Sequence, residues 1–423
     1  FLTEFAGDWA HEVNMKETEL AFGKKMLDTK LGSRANMFCS PFFLLALDRK
    51  AEENAGDVLF GTIGWTGNYR FTFEVDNENG LRVLSGINPY ASEYSLKPNE
   101  VFRTPEFIFT YSTEGKGKAS RDFQRWARKY QLKDGEKSRM TLLNNWEATY
   151  FDFNEDKLVN IMDEAVALGV DMFLLDDGWF GKREDDNSGL GDWFVNEKKM
   201  NGSMAQLAEK IHKMGMKFGL WFEPESVNPD SNLYRAHPDW ALTDGFEPIL
   251  GRNQLLLDLT RPEVRDYIVK SVSRILDNTG ISYVKWDMNR HSVALGAKAH
   301  DFVLGLYDVL RRIFAPRPDI LLESCSSGGN RFDLGMLCFS PQIWASDNTD
   351  PIERLTIQNS ISYLYPQSTV GAHVSAAPHA QTLRSTPLNT RGNVAFFGCL
   401  GYELDLRTLL PVEIKEIQGQ IAF

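Results

Sequence analysis

Cysteine and histidine are scarce in this chain of 423 residues, which holds four of the first and seven of the second. Cys39, Cys325, Cys338 and Cys399 form no CxxC pair. So few thiols in so long a chain describe neither a disulfide framework nor a zinc site. The histidines make no HxH or HExxH pattern, where a metal hydrolase would more often show His ligands. An excess of basic charge is also missing. The formal net charge is -12, which argues against a nucleic-acid partner, since that would favour a basic face. No apolar run is long enough to span a bilayer, so no membrane partner is expected. No leader segment is visible either, and the chain opens on Phe1 rather than Met. It is expected to be a piece of a longer protein, and its compartment stays open. Low-complexity sequence is absent, and so is any repeat beyond a simple alternation of elements.

What is present is a globular composition, 43% hydrophobic and 12% aromatic. The first hundred-odd residues read as β. "YRFTFEV" (69–75) and "FIFTYST" (107–113) alternate apolar and polar residues as half-buried strands do. "DNENG" (76–80), "KPNE" (97–100) and "EGKGK" (114–118) read as turns between strands. Residues 1–118 are therefore expected to be part of a β-sandwich. "ASRDFQRWARKYQ" (119–131) has helical spacing, and a linker helix is expected within 119–138.

From 139 to the end the rhythm changes. Short apolar runs alternate with amphipathic helices that start on Asn or Pro and stop on Gly, as in "NEDKLVNIMDEAVALG" (154–169) and "RPEVRDYIVKSVSRILDNTG" (261–280). The apolar runs include "TLLNNW", "DMFLLDDGW", "MKFGLWFEPE", "ISYVKWDMN", "DILLESCSSGG", "PQIWASDNTD", "TVGAHVSA" and "GNVAFFGCLGY" (392–402). Continuously apolar strands alternating with helices imply a parallel sheet covered by helices. About eight units over roughly 280 residues is the size of a (β/α)8 TIM barrel. A doubly wound open sheet is the alternative, disfavoured because no glycine-rich phosphate loop follows the first strand.

The residues that end the apolar runs form a pattern. They are Trp146; Asp176, Asp177 and Trp179; Trp221, Glu223 and Glu225; Lys285 and Asp287; Glu323, Cys325 and Gly328; Asp347 and Asp350; and His373. In a barrel these ends face one rim, where active sites form. Acids and indoles gathered there suit glycoside hydrolysis, which uses two carboxyl groups flanking the scissile bond. An enolase-type site with carboxylates around magnesium fits the composition too. Each residue also has a plain structural reading. Asp177 before a glycine starts a turn, Lys285 and Asp287 form an ion pair, and Asp347 caps a helix. Trp146 and Trp221 belong to the core, Cys325 is a small buried residue, and His373 is a hydrogen-bonded structural residue. Their joint placement at strand ends favours the site over these separate readings.

The segments "LLDDGWF", "GLWFEPE", "YVKWDMNR", "ESCSSGG", "SDNTD" and "GAHVS" resemble, in order and spacing, the signature segments of glycoside hydrolase family 36, the bacterial α-galactosidase type. "GRNQLLLDLTRPEVRDYI" (251–268) and the front segment "GDWAHEV" share the likeness. The resemblance implies a retaining exo-α-galactosidase acting on terminal α-linked galactose, as in melibiose or raffinose, without metal or organic cofactor. It implies Asp287 as nucleophile and Asp347 as general acid/base. Asp176 and Asp177 would hold the 4- and 6-hydroxyls. Lys285 and Arg252 would bond sugar hydroxyls or the nucleophile, and Trp146 and Trp221 would shape the wall. Cys325 and Gly328 would lie near the 2-hydroxyl, where Cys325 would crowd an acetamido group. The chemistry of the residues agrees. Lys285 and Asp287 project to one strand face, and a cation there favours an ionised carboxylate. Asp347 must start protonated, so its pKa is expected to be raised by burial and nearby acids. α-N-acetylgalactosaminidase activity, galactosyl transfer and an inactive sugar-binding fragment are the alternatives. Members of the family carry further β-domains and often form tetramers, so the full-length protein is expected to be a homo-oligomer.

Overall fold

Alternation of polar and apolar residues makes the front of the chain a pair of antiparallel sheets. The strands are β1 (Leu2–Asp8), β2 (His11–Thr18), β3 (Gly23–Asp28), β4 (Phe42–Ala46), β5 (Val58–Ile63), β6 (Tyr69–Val75), β7 (Leu81–Ile87) and β8 (Phe107–Ser112). One sheet has the order β2-β1-β4-β5-β8 and the other β3-β6-β7. The computed structural model describes every residue except 91, 244–246, 249, 293 and 294. β4 is buried on both faces, and its period of two divides its side chains between two cores. Phe43 and Leu45 pack with Tyr69, Phe71 and Phe73 between the sheets. Phe42 and Leu44 point the other way and join Phe332, Ile343 and Ile357 of the following domain. The sandwich is thereby fixed to its neighbour through an apolar interface.

Helix α1 (Gly115–Trp126) connects the two parts and continues through a wide π turn, Ala127–Gln131. It begins four residues before the expected 119, inside the stretch read as a turn. Gly115 takes φ 82, and a Cβ there would stand 2.5 Å from the Ala55 nitrogen. Glycine thus lets the chain press on the loop before β5, where Gly56 and Glu52 carbonyls accept the amides of Gly115 and Lys116.

The remainder is a closed parallel barrel. Its elements run β9 (Leu142–Asn144), α2 (Trp146–Thr149), α3 (Glu155–Leu168), β10 (Met172–Leu175), α4 (Met204–Lys213) and β11 (Lys217–Phe222). A two-strand ribbon follows, β12 (Ser226–Val227) with β13 (Leu255–Leu256), around α5 (Asn232–Ala236). Then come α6 (Pro262–Thr279), β14 (Tyr283–Trp286), α7 (Ala299–Phe314), β15 (Leu321–Ser324), α8 (Leu334–Leu337), β16 (Gln342–Trp344) and α9 (Pro351–Ile361). The chain ends with β17 (Val370–Ser375), α10 (Leu388–Ala395), β18 (Cys399–Glu403) and α11 (Pro411–Ala422). Strands β9, β10, β11, β14, β15, β16, β17 and β18 pair in that order, and β18 closes on β9 with Gly401 opposite Leu142. This is the expected (β/α)8 architecture.

The stop and start signals act as expected. Asn154 accepts from the Lys157 amide to cap α3, and Gly169 ends it in the left-handed region. Pro262 opens α6 and Gly280 closes it. One expectation fails, and so does one plain structural reading. The run 392–402 is not one strand. Its first part belongs to α10 and only Cys399–Glu403 enters the barrel, since a short, nearly continuous apolar run has no period that tells helix from strand. Asp347 is not a cap either. Asp350 caps α9 by accepting from the Ile352 amide, which leaves Asp347 free for the rim.

Candidate active site

The strand ends surround a cavity of about 210 Å³. Among the residues expected at the site, Asp287, Asp347, Asp176, Asp177, Trp146, Trp221, Arg252, Lys285 and Cys325 line it. Gly328 does not. It takes φ 76 behind the wall, where a Cβ would meet Glu12 Oε1 at 2.6 Å and the Asp347 nitrogen at 2.9 Å. Its place is therefore a close backbone approach.

Asp287 follows β14 directly and is 7% exposed. Oδ2 accepts from Asn289 Nδ2 at 2.9 Å and Trp221 Nε1 at 3.3 Å, and Oδ1 from the Met288 amide at 2.8 Å. Burial alone would push its pKa up. Lys285, the bond from Asn289 and Arg252 outweigh burial and hold it below the usual value. A carboxylate so held is ionised and oriented. Lys285 is not its direct partner, however. The ammonium is 2.8 Å from Asp176 Oδ2, which also accepts from Asn144 Nδ2 at 2.7 Å. Lys285 therefore acts on Asp287 through its charge, while its bond orients Asp176.

Asp347 has the opposite environment. Burial and the charge of Asp287 raise its pKa, against the bond from Trp9. Trp9 Nε1 donates to Oδ2 at 2.8 Å and Trp344 Nε1 to Oδ1 at 3.0 Å. Trp344 is itself fixed between Arg354, 4.6 Å from its ring, and His373, 4.3 Å away. His373 Nδ1 lies 2.9 Å from Glu403 Oε2, so it is a structural residue of this wall.

Asp177 makes a buried two-point pair with Arg183, whose Nε is 3.1 Å from each carboxylate oxygen and whose Nη2 is 2.8 Å from Oδ2. Arg252 reaches the cavity from a turn in which it and Asn253 both take left-handed backbone, φ 53 and 57. Such paired outliers cluster at ligand sites. Trp146 meets Tyr150 and Phe151 edge-on, at 5.4 and 5.0 Å. Cys325 is buried, with its thiol pKa raised by burial, so it packs rather than reacts.

Three of the strand-end acids read from the sequence, Glu223, Glu225 and Glu323, stand outside the cavity. Glu223 accepts from the Asn289 amide at 2.7 Å and its side chain at 2.9 Å, which orients the asparagine that bonds Asp287. Burial and then Asp287 push Glu223 up to about 7. Glu225 accepts from Trp286 Nε1 and Arg331, each at 2.8 Å. Glu323 accepts from Gln342 at 3.0 Å inside the barrel. The cavity also holds residues that sequence reasoning missed: Trp9, Glu147, Tyr150, Asn289, Trp344, Ala380, Gln381 and Glu403. Glu403 ends β18, so the strand-end rule would have found it had that strand been traced one residue further. Asn289 and Trp344 lie within quoted segments. Trp9 lies in the quoted front segment "GDWAHEV", but no strand end marks it.

Fold and cavity together define the class, a barrel of the glycoside hydrolase type with its acids at the strand ends. The model for Melibiase matches residues 101–423, and that for the Glycosyl hydrolase family 36 N-terminal domain matches 1–97. This chain belongs to glycoside hydrolase family 36. It is 46% identical over 422 residues to the bifunctional alpha-galactosidase/sucrose kinase AgaSK of Mediterraneibacter gnavus, covering 99% of this chain and 45% of that one. With alpha-galactosidase Mel36A of Lactobacillus acidophilus it shares 44% identity over 98% of this chain and 58% of that one. The crystal structure of alpha-galactosidase AgaA from Geobacillus stearothermophilus superposes with a TM-score of 0.97, at 42% identity, over 100% of this chain and 60% of that one. Variants of AgaA have been solved with stachyose and with raffinose. The chain thus spans about half the length of the curated relatives it matches.

Proposed function

We propose that the protein is a retaining exo-α-galactosidase that releases terminal α-linked galactose from raffinose-type oligosaccharides. The observation that carries this reading is the pair of carboxyls on one cavity with opposed pKa shifts. Asp287 is held ionised below the usual range and Asp347 is raised above it. Two acids with their environments pushed apart are what a nucleophile and a proton donor require. Asp287 attacks the anomeric carbon as Asp347 protonates the departing oxygen. Water, deprotonated by Asp347, then breaks the galactosyl–Asp287 ester with a second inversion. Asp176, fixed by Lys285, and Asp177, fixed by Arg183, are acceptors for sugar hydroxyls. Cys325 fills the space that a 2-acetamido group would need, which favours galactose over N-acetylgalactosamine. The relatives named alpha-galactosidase and the raffinose and stachyose complexes of AgaA support the substrate class.

The test is NMR of the first product formed. A retaining enzyme releases the α-anomer first, and an initial β-anomer refutes the double displacement. Asp287→Ala is expected to abolish turnover, with azide restoring some of it as an inverted galactosyl azide. Near-normal rates without azide would remove Asp287 as nucleophile.

A further inference from the structure

The tip of the β1–β2 hairpin is strained where it meets the cavity. Ala10 takes φ 65 and Val13 φ 58. Left-handed backbone at a β-branched residue is a genuine outlier, and such outliers persist only where the surroundings enforce them. Gly7 leaves no room either, since a Cβ there would lie 2.2 Å from the His11 carbonyl oxygen. This forced turn reaches the segment that follows β16. Trp9 bonds the Asp347 carboxylate, and Asn348 Nδ2 donates to the Ala10 carbonyl at 3.2 Å. Ser346 Oγ donates to Glu12 Oε2 at 2.5 Å, and Glu12 Oε1 accepts from the Ala10 amide at 3.2 Å.

Glu12 is 2% exposed and does not line the cavity. Burial pushes its pKa up to about 7, against the bond from Ser346. A buried carboxyl is costly and needs compensation from what it holds. What it holds is the residue before Asp347. Ser346 Oγ also accepts from the Asn348 amide at 3.0 Å, and the Ser346 carbonyl accepts from Arg354 at 2.6 Å. Asp347 therefore sits in a turn gripped on one side by the sandwich domain and on the other by the barrel.

We infer that Glu12 is a positioning residue for proton transfer, acting through Ser346 to aim the Asp347 carboxyl at the departing oxygen. The inference rests on the reading of Asp347 as acid/base. A small misplacement of a reacting group can cost about a hundredfold in rate, but only where the step needs that group. A sugar leaving group must be protonated as it departs. A dinitrophenolate leaves as the anion and needs no acid. Glu12→Gln keeps one oxygen and puts an amide donor in place of the other, so either Ser346 Oγ or the Ala10 amide loses its acceptor.

The experiment compares kcat/KM on raffinose and on a dinitrophenyl α-galactoside for the full-length wild type, Glu12→Gln, Ser346→Ala and Asp347→Ala. Glu12→Gln and Ser346→Ala are expected to lose about tenfold or more on raffinose and less than about threefold on the aryl substrate. Ser346→Ala keeps the test open if Glu12→Gln does not fold. If Asp347→Ala separates the two substrates and neither other variant does, the inference is overturned while the reading of Asp347 stands. If Asp347→Ala fails to separate them, that reading falls and takes the inference with it. Equal losses on both substrates in Glu12→Gln and Ser346→Ala mark general damage and also overturn it.

Discussion

Replacing Arg183 with methionine removes the partner of a buried acid and keeps much of the volume. Arg183 is 1% exposed as a side chain and Asp177 is 8%. The guanidinium also donates to Asn228 Oδ1 at 3.2 Å and to the Ser188 carbonyl at 3.3 Å. Breaking such a pair from one side costs about 3–5 kcal/mol, because the remaining charge is buried and unpaired. The loss should depend on pH, and its sign follows from the causes acting on Asp177. Burial is the largest and raises the pKa, while the charge and bonds of Arg183 hold it down. Without Arg183 the folded-state value rises further above the unfolded value of about 3.9. The folded state then binds a proton that the unfolded chain releases, so stability falls as pH rises through that window. The deficit is expected to be small near about pH 4.5 and full near about pH 7.5. Urea or thermal melts of the wild type, Arg183→Met and Arg183→Met/Asp177→Asn at both values measure it. The double variant should recover stability at the higher pH, since no charge remains to be stranded. An equal deficit at both values, or no recovery, would refute the reasoning.

Two smaller perturbations probe the same rim. Trp9→Phe keeps an aromatic ring but removes the N–H that lowers the pKa of Asp347. With Asp347 as the proposed acid, activity needs it protonated, so the alkaline limb of kcat/KM should move up, by about 0.5–1 pH unit, and a pH–rate profile that is unmoved or shifted down contradicts it. Gly328→Ala forces a side chain into left-handed backbone 2.6 Å from Glu12 Oε1 and 2.9 Å from the Asp347 nitrogen. A loss of about 1–3 kcal/mol and a fall in kcat larger than the change in KM are expected from melts and steady-state kinetics. Unchanged kcat would show that the turn bearing Asp347 tolerates displacement.

Much of the barrel was legible because its signals are local. A Pro or Asn start, a Gly stop and an apolar run each act within a few residues, and Asn154, Gly169, Pro262 and Gly280 do what their types dictate. The same locality explains the failures. The run 392–402 is apolar on both sides of the junction between helix and strand, so no polar stretch marks where one gives way to the other. Gly115 was read as a turn because the contact that makes it a helix start lies on another strand connection.

The sequence by itself determined the order of elements, the parallel barrel they imply and four of the acids that line its cavity, Asp176, Asp177, Asp287 and Asp347. Backbone propensity and side-chain period are properties of neighbouring residues, and they suffice for that. Tertiary structure decided the partners. Lys285 stands two residues from Asp287 yet bonds Asp176, 109 positions away. Trp9 meets Asp347 across 338 positions. Glu12, in a segment with no rim residue beside it but Trp9, grips the turn that carries Asp347. Which charge offsets which, and so which carboxyl is ionised and which protonated, depends on distances through space that no period along the chain encodes.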